Sequence, residues 1–201
     1  MEIIASLLFE ALIGLATFSK KIRSLYVLSY HVETDISLTF LYNSITPINR
    51  KDGRMVDLVN ISKENIDACL ALSPQAWQEK YSKSVAEHLS RAYIEPETLI
   101  PLAVQLNKTI IGFLIFRFEK NNNRIRIVDI FIDQWMQEKG YGRQTLISFL
   151  ELAENFENYD KIYSLVDMVN LEARKAFEAA GFMRGIVDIE NRLNEMIFIL
   201  R

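Results

Sequence analysis

The strongest restriction on the fold comes from a glycine-bearing segment past the middle of the chain, residues 137–142. Its residues are Gln137, Glu138, Lys139, Gly140, Tyr141 and Gly142. Before it, residues 124–133 form an alternating run that predicts a β-strand. After it, apolar residues recur at helical spacing, at Leu146, Phe149, Leu150 and Ala153. The segment therefore joins the C-terminal end of a strand to the N-terminus of a helix.

A loop in this position favours a phosphate group. The first N–H groups of a helix have no intrahelical acceptor, and the positive end of the helix dipole lies beside them. Gly140 and Gly142 lack a Cβ, so the backbone can approach a pyrophosphate closely. The glycine spacing matches neither the P-loop nor the Rossmann fingerprint. We therefore interpret residues 137–142 as a phosphate cradle of another type, and call them the cradle.

The cradle resembles Q-x-x-G-x-G, the acetyl-CoA signature of the GNAT superfamily of N-acetyltransferases. A second segment, residues 170–182, resembles the superfamily's N-x-x-A-x-x-x-[YF]-x-x-x-G-F signature and follows a strand-like run at residues 161–167. Asn170 suits the N-cap of the short helix in that signature, and Gly181 suits its end. The resemblance spans residues 55–201. It implies an α/β fold with a mixed, mostly antiparallel central sheet and helices on both faces.

Three shorter segments resemble the bacterial diamine and spermine/spermidine acetyltransferases within this superfamily. They are Lys63–Leu72, Ser84–Glu87 and Ile111–Phe113. This resemblance implies that acetyl-CoA is the co-substrate and that a small cationic amine, such as a polyamine, accepts the acetyl group.

The chain has 201 residues, enough for one domain with an appendage. Residues 47–54 are polar, with a proline and a glycine near their ends, and make the best boundary. We therefore expect an N-terminal extension of unknown role at residues 1–54 and an N-acetyltransferase domain at residues 55–201. Residues 3–16 are strongly apolar but too short to span a bilayer. A helix packed on the domain or a partner, and binding at a membrane surface, both stay open for them.

Charge and composition exclude several classes of partner. The formal net charge is −3 and no block of like charges occurs, which argues against a nucleic acid or an anionic membrane. The single cysteine, Cys69, excludes an internal disulfide and predicts a cytoplasmic protein; it lies in an apolar helical pattern and is interpreted as inert core. His31 and His88 lack the spacing of metal ligands, so we expect no metal site. A homodimer is compatible with the sequence.

From residue 55 onward the pattern predicts a regular succession of elements. A strand is expected at 55–60, a helix at 62–72 with Ser62 as its cap, and an amphipathic helix or helix pair at 75–93. Pro96 and Pro101 are expected to bracket a loop. Hairpins and closing strands complete the prediction, with turns at 107–108 and 121–123 and strands at 102–106, 109–119, 186–189 and 195–200.

The resemblance also implies how coenzyme A is held. The N–H groups of the cradle bind its pyrophosphate, and Arg143 lies nearby as a charge partner. The strand residues Ile130, Phe131 and Ile132 pair with the pantetheine arm, and one of their N–H groups polarises the thioester carbonyl. Such an oxyanion donor is typically worth about 3 kcal/mol. Asn170 is implied to contact the pantetheine.

Asp129 is the candidate catalytic residue, an acid in an otherwise apolar run just before the cradle. In spermidine/spermine acetyltransferases an acidic pair in this part of the strand serves the amine, and here Val128 occupies the other position. Asp129 could bind an ammonium group or relay its proton through water. Alternatively, it is an ordinary strand aspartate whose hydrogen bonds are satisfied.

Phe177 departs from the superfamily pattern. Many members carry tyrosine there, whose phenol can protonate the departing thiolate, and phenylalanine cannot. General acid assistance is usually worth about 100- to 10,000-fold, but a thiol with a pKa near 8.5 also leaves tolerably as a thiolate. We therefore expect a slower enzyme or another proton donor, for which Tyr141 and Tyr163 are candidates. Phe177 is expected both to belong to the cofactor-binding residues and to pack in the core.

Three functions stay open on the sequence alone. The first is acetyl transfer to a small amine by direct attack in a ternary complex, and the second is acetylation of a protein N-terminus or lysine. The third is a non-catalytic acyl-CoA-binding module, which the phenylalanine at residue 177 and the N-terminal extension would suit. Acidic and aromatic residues that could meet a cationic acceptor lie at Trp77, Glu79, Tyr81, Glu87 and Tyr93.

Overall fold

A computed structural model describes residues 56–200 of the chain. The predictions for the N-terminal extension, including its apolar segment at residues 3–16 and the boundary at residues 47–54, lie outside the described residues. The domain division therefore stays a prediction.

Residues 56–200 form one seven-stranded sheet with helices packed against it. The strands are β1 Val56–Asn60, β2 Leu99–Leu106, β3 Thr109–Glu119, β4 Arg124–Ile132, β5 Lys161–Asp167, β6 Met183–Asp188 and β7 Leu193–Ile199. The α-helices are α1 Ile66–Leu70, α2 Val85–Ile94, α3 Tyr141–Ala153 and α4 Leu171–Ala179, with short 3₁₀ helices at Ala76–Tyr81 and Lys120–Asn122.

The order of strands across the sheet is β1-β2-β3-β4-β5-β7-β6. Five neighbouring pairs are antiparallel, and β4 with β5 is the parallel pair. The crossover that makes them parallel runs through the cradle and α3. This is the mixed, mostly antiparallel sheet that the sequence predicts.

Helices cover both faces of the sheet because side chains alternate along β3. Phe113 and Ile115 point to a buried cluster that includes Cys69 of α1 and Val85 and Ala92 of α2. Phe116 points to the other face, where its ring centroid lies 4.9 Å from that of Phe149 in α3. Cys69 is fully buried, and burial raises the pKa of its thiol, which confirms its interpretation as inert core.

Several local predictions are confirmed at the residue level. The turn at Asn107 and Lys108 has both residues at positive φ, 48° and 70°, as a two-residue hairpin requires. The Asn170 side chain accepts a hydrogen bond from the Ala173 N–H at the start of α4, and Gly181 has a φ of 101° just beyond its end.

Other predicted boundaries are wrong. The helix expected at residues 62–72 covers only α1, because residues 62–65 form a turn in which the Ser62 hydroxyl accepts from the Glu64 N–H. Pro101 does not end a loop but lies inside β2, opposite Ile115. There β2 has a single neighbour, since β1 pairs only with residues 102–106, so the missing N–H is tolerated. The element at residues 75–93 is a pair, divided at Ser82–Ser84.

Candidate active site

A cleft opens where β4 and β5 separate. The two strands pair only from Arg124 to Ile127 on β4, which meet residues 161–164 of β5. A bulge follows at Val128, because Ile115 of β3 faces Asp129 whereas the next residue, Phe116, faces Ile127. Beyond the bulge, no strand within residues 56–200 pairs with the β5 side of β4 as far as Ile132. The cleft beside it has a volume of about 750 Å³ and extends between the cradle, α4 and the 3₁₀ helix Ala76–Tyr81.

The cradle lines this cleft with N–H groups that have no acceptor among the described residues. Among residues 56–200, no acceptor takes a hydrogen bond from the backbone N–H groups of residues 138–143. Glu138 and Gly140 both have positive φ, 63° and 80°, so successive N–H groups turn to one side, as in an anion-binding nest. A Cβ added at Gly140 or Gly142 would meet no atom within 4 Å, so the space above the cradle is open. The geometry fits a phosphate group.

The predicted site residues are brought together with one exception. Those that line the cleft are Asp129, Ile130, Phe131, Ile132, Gln137, Glu138, Gly140, Tyr141, Gly142, Arg143, Asn170 and Phe177. Lys139 does not line it. Its ammonium group turns back to the Trp135 carbonyl, at 3.2 Å, and so ties the loop to itself.

Two cradle-side side chains make structural contacts. The Gln137 amide donates to the Ile132 carbonyl at 2.8 Å and to the Gln78 side-chain oxygen at 2.7 Å. The Gln78 amide also donates to Glu172 at 3.3 Å, so Gln78 spans from the cradle to α4 across one end of the cleft. Arg143 donates from Nε to the Ala179 carbonyl at 2.8 Å, which leaves its terminal nitrogens for a charge partner.

Asp129 is held rigidly at the wall of the cleft. Its Oδ2 accepts from the Ser82 hydroxyl at 2.6 Å, from the Lys83 N–H at 3.2 Å and from His88 Nε2 at 2.8 Å. Its side chain is 11% exposed. Within residues 56–200, every hydrogen bond to this carboxylate falls on Oδ2, and none falls on Oδ1. Asp129 thus lines the cleft with three hydrogen bonds on one carboxylate oxygen and none from the described residues on the other.

His88 supplies the most buried of these contacts. Its side chain is 3% exposed and stacks on Phe113, with ring centroids 5.6 Å apart. A carboxylate only accepts hydrogen bonds, so Nε2 carries the hydrogen. Nδ1 is buried and has no hydrogen-bond partner among the described residues.

Of the aromatic residues considered for the thioester end of the site, some line the cleft and one does not. Phe177 is buried, lines the cleft, and packs edge-on against Phe182 with centroids 4.9 Å apart. Tyr163 is wrong as a substitute acid, since its hydroxyl donates to Glu119 at 2.6 Å and the residue does not line the cleft. Burial, and then this bond, raise the pKa of Tyr163. Tyr81 and Tyr141 do line the cleft.

On the acceptor side, only one of the five acidic and aromatic residues singled out from the sequence reaches the cleft. Tyr81 lines it, under the ammonium group of Lys80, which is 4.8 Å from the ring centroid. Trp77, Glu79, Glu87 and Tyr93 do not line it. Glu87 instead pairs with Lys83 and Arg91 on the surface of α2.

Sequence reasoning missed His88, Ser82 and Gln78. One signal could have found His88, because Val85, His88 and Ala92 repeat at helical spacing and all three are buried. A histidine on the buried face of a helix needs a polar partner. No local pattern marks Ser82 or Gln78, whose partners lie 47, 59 and 94 residues away.

The sequence of residues 66–182, more than half of the chain, matches the model of a family described as the acetyltransferase (GNAT) family. The chain belongs to that family. A GNAT acetyltransferase depends on acetyl-CoA, so this chain is an acetyl-CoA-dependent enzyme whose acceptor the family does not specify. A search of curated proteins found no significant match.

Solved GNAT structures share the fold at low sequence identity. A spermidine N-acetyltransferase from Vibrio cholerae, in complex with CoA and spermine, has a TM-score of 0.60 and 18% identity over 72% of this chain and 95% of its own. An aminoglycoside acetyltransferase, in complex with coenzyme A and kanamycin, has 0.59 and 17% over 72% and 94%. A ribosomal-protein α-N-acetyltransferase, in complex with coenzyme A, has 0.59 and 14% over 73% and 94%. These identities show the fold alone.

Two further findings concern residues 56–200 of this GNAT chain. No helix there has the length and apolar character needed to cross a bilayer. No group of three or more histidine, cysteine, aspartate or glutamate side chains there is arranged to hold a metal ion.

Proposed function

We propose that this GNAT enzyme acetylates the primary amine of a small cationic molecule, of the polyamine class, by direct attack in a ternary complex. Three features of the cleft support the proposal. They are the cradle with its unpaired N–H groups, the edge of β4 that faces the cleft, and the carboxylate of Asp129 on that strand.

The first two features fit the two ends of acetyl-CoA. The N–H groups of residues 138–143 can donate to the pyrophosphate, and the dipole of α3 adds its positive end. Apart from the Ile132 carbonyl, which the Gln137 amide occupies, the edge of β4 at Ile130–Ile132 offers backbone groups to the amides of the pantetheine arm, as a neighbouring strand would. When bound, acetyl-CoA supplies an acetyl group already activated as a thioester.

Asp129 is the residue that favours a cationic amine as the acceptor. An ammonium group must lose a proton before its nitrogen can attack. Asp129 lines the cleft, and its Oδ1 receives no hydrogen bond from the described residues. It can first pair with the ammonium group and then take its proton, directly or through one water. The amine nitrogen forms the new bond to the acetyl carbon, the carbon–sulfur bond breaks, and the second proton of the nitrogen passes to the departing thiolate, directly or through water.

A cleft of about 750 Å³ that also holds a pantetheine arm has room for a slender amine. A protein N-terminus is the competing acceptor, and the similarity to a ribosomal-protein acetyltransferase keeps it in the test. In the described part of the chain, Gln78 bridges from Gln137 to Glu172 over the cleft, which favours a small acceptor over a peptide laid across it.

The test is release of free CoA thiol from acetyl-CoA with a panel of acceptors. The panel contains spermidine, spermine, a short diamine, an aminoglycoside, a neutral primary amine, and peptides with a free N-terminus or a lysine. We expect the polyamines to have the highest kcat/KM, and Asp129→Asn to lower kcat by about 100-fold or more with little change in acetyl-CoA binding. Turnover of peptides alone would overturn the choice of acceptor. Binding of acetyl-CoA without turnover of any acceptor would overturn catalysis itself.

The cytoplasmic location and the homodimer stay predictions. Sedimentation of the purified chain would decide the second of these.

A further inference from the structure

We propose that His88 is a positioning residue for the acetyl transfer, which acts by holding the Asp129 carboxylate so that Oδ1 faces the bound amine. The inference rests on the proposed function of Asp129 and adds a residue outside both GNAT-like signatures. It is drawn from three observations, which are the direction of the His88 hydrogen bond, its burial, and the unequal use of the two carboxylate oxygens.

The carboxylate is bound from one side only. His88 Nε2 lies 2.8 Å from Oδ2, and the Ser82 hydroxyl and Lys83 N–H donate to the same oxygen. An aspartate with one hydrogen bond can still rotate its carboxylate about the Cβ–Cγ bond. Three donors converging on Oδ2 fix that rotation, and Oδ1 is then the oxygen presented to the cleft.

His88 is the rigid member of the three donors. It is 3% exposed and stacked on Phe113 in the sheet, whereas Ser82 and Lys83 belong to the more exposed connection before α2. Its position on the buried face of α2 is set by packing with Val85 and Ala92. The hydrogen bond from this rigid side chain therefore fixes the Asp129 carboxylate relative to α2.

A core histidine that only fills space would not need this arrangement. Nδ1 is buried and unpartnered among residues 56–200, which costs free energy that an apolar side chain of similar size would avoid. The Nε2–H group is therefore the part of His88 that a phenylalanine or leucine would not replace. A donor at that place serves Asp129, the acid on the β4 wall of the cleft.

The test compares His88→Gln with His88→Leu. Glutamine keeps an N–H donor that can reach Oδ2, whereas leucine keeps only apolar volume. With spermidine, or with the panel acceptor that the wild type turns over fastest, His88→Leu should lower kcat about tenfold or more. The KM for acetyl-CoA should change less than about twofold, and His88→Gln should recover most of the lost kcat.

A double-mutant cycle separates positioning from general stability. In an Asp129→Asn background, His88→Leu should change the remaining kcat less than about twofold, because the carboxylate that it positions is gone. A residue that merely stabilises the fold would cause the same loss in both backgrounds, and that result would overturn the inference. Equal kcat for wild type and His88→Leu would overturn it as well.

Two further measurements keep the test decisive if His88→Leu does not fold. Ser82→Ala removes another donor to Oδ2 at a partly exposed position, and it should lower kcat in the same direction by a smaller factor. Nitrogen-15 NMR of the two histidines, assigned with His31→Gln, should show His88 with its hydrogen on Nε2. The absence of a hydrogen from Nε2 would contradict the donation to Asp129. If the wild type is inactive, both the proposed function and this inference fail. If the wild type is active and His88→Leu has the same kcat, only this inference fails.

Discussion

Replacement of Gly142 by glutamate separates phosphate binding from folding. Gly142 is the second residue of α3, its φ lies outside the left-handed region, and an added Cβ meets no atom within 4 Å. The new side chain therefore fits without moving the backbone. Glycine inside a helix costs up to about 1 kcal/mol relative to other residues, and a carboxylate in the first turn gains about 0.3–1 kcal/mol from the helix dipole. We expect the free energy of unfolding to rise by about 1 kcal/mol.

The same substitution should weaken the binding of acetyl-CoA. The new carboxylate stands in the first turn of α3, beside the N–H groups of residues 138–143. Two unit charges 4 Å apart near a protein surface repel by about 4 kcal/mol. That corresponds to a loss of about 1000-fold in Kd. Gly142→Gln has nearly the same volume without the charge, so it is the matched control and should keep most of the affinity.

The assay is titration calorimetry with acetyl-CoA, together with thermal unfolding of the same samples. We expect a stable Gly142→Glu variant with no measurable binding at concentrations that saturate the wild type and nearly saturate Gly142→Gln. If Gly142→Glu binds within about threefold of the wild type, the diphosphate does not lie on the cradle. If both variants lose binding equally, bulk rather than charge explains the loss, and the electrostatic reasoning fails.

Three other predictions follow from single contacts. Phe177→Tyr places a phenol on the cleft wall and should raise kcat at least about tenfold; an unchanged kcat would mean that the thiolate needs no acid from this position. Tyr163→Phe removes the bond to Glu119 and should lower the free energy of unfolding by about 1 kcal/mol without changing kcat. The pKa of Tyr163 is raised, so the stability that its phenol contributes is complete below the ordinary tyrosine range. That stability is lost as pH rises through the raised pKa. The free energy of unfolding should therefore fall less steeply at alkaline pH in Tyr163→Phe than in the wild type. Glu138→Gly relieves a residue at a φ of 63° and should raise the melting temperature slightly, whereas a fall would show that the Glu138 side chain stabilises the loop.

Local signals made the cradle and the two helix–loop signatures predictable. A glycine-bearing loop between an alternating apolar pattern and a helical one indicates a strand-to-helix connection. In the structure α3 begins inside this loop, at Tyr141. Asn170 and Gly181 mark the two ends of α4 by capping chemistry that depends only on near neighbours. The pairing of β5 between β4 and β7 follows from the fold that these signatures imply.

Long-range contacts explain what the sequence did not reveal. Ser82 and His88 meet Asp129 across 47 and 41 residues, and nothing near Asp129 in the chain indicates these partners. The place of Pro101 inside β2 depends on where β1 ends, which is a property of the sheet and not of residues 96–101. The helix α1 is shorter than predicted because the Ser62 hydroxyl accepts from the Glu64 N–H. This bond favours a turn over a helix at residues 62–65.

The central claim is that backbone N–H groups at the start of α3 hold the diphosphate of coenzyme A, and amide NMR observes those groups directly. On titration of the isotope-labelled chain with acetyl-CoA, the amide protons of residues 138–143 should shift strongly and together, since none of them donates to another group in residues 56–200. The same titration with acetylated pantetheine, which lacks the diphosphate, should leave these six signals almost unmoved. Saturable binding of acetyl-CoA that shifts other amides but not these would contradict the account.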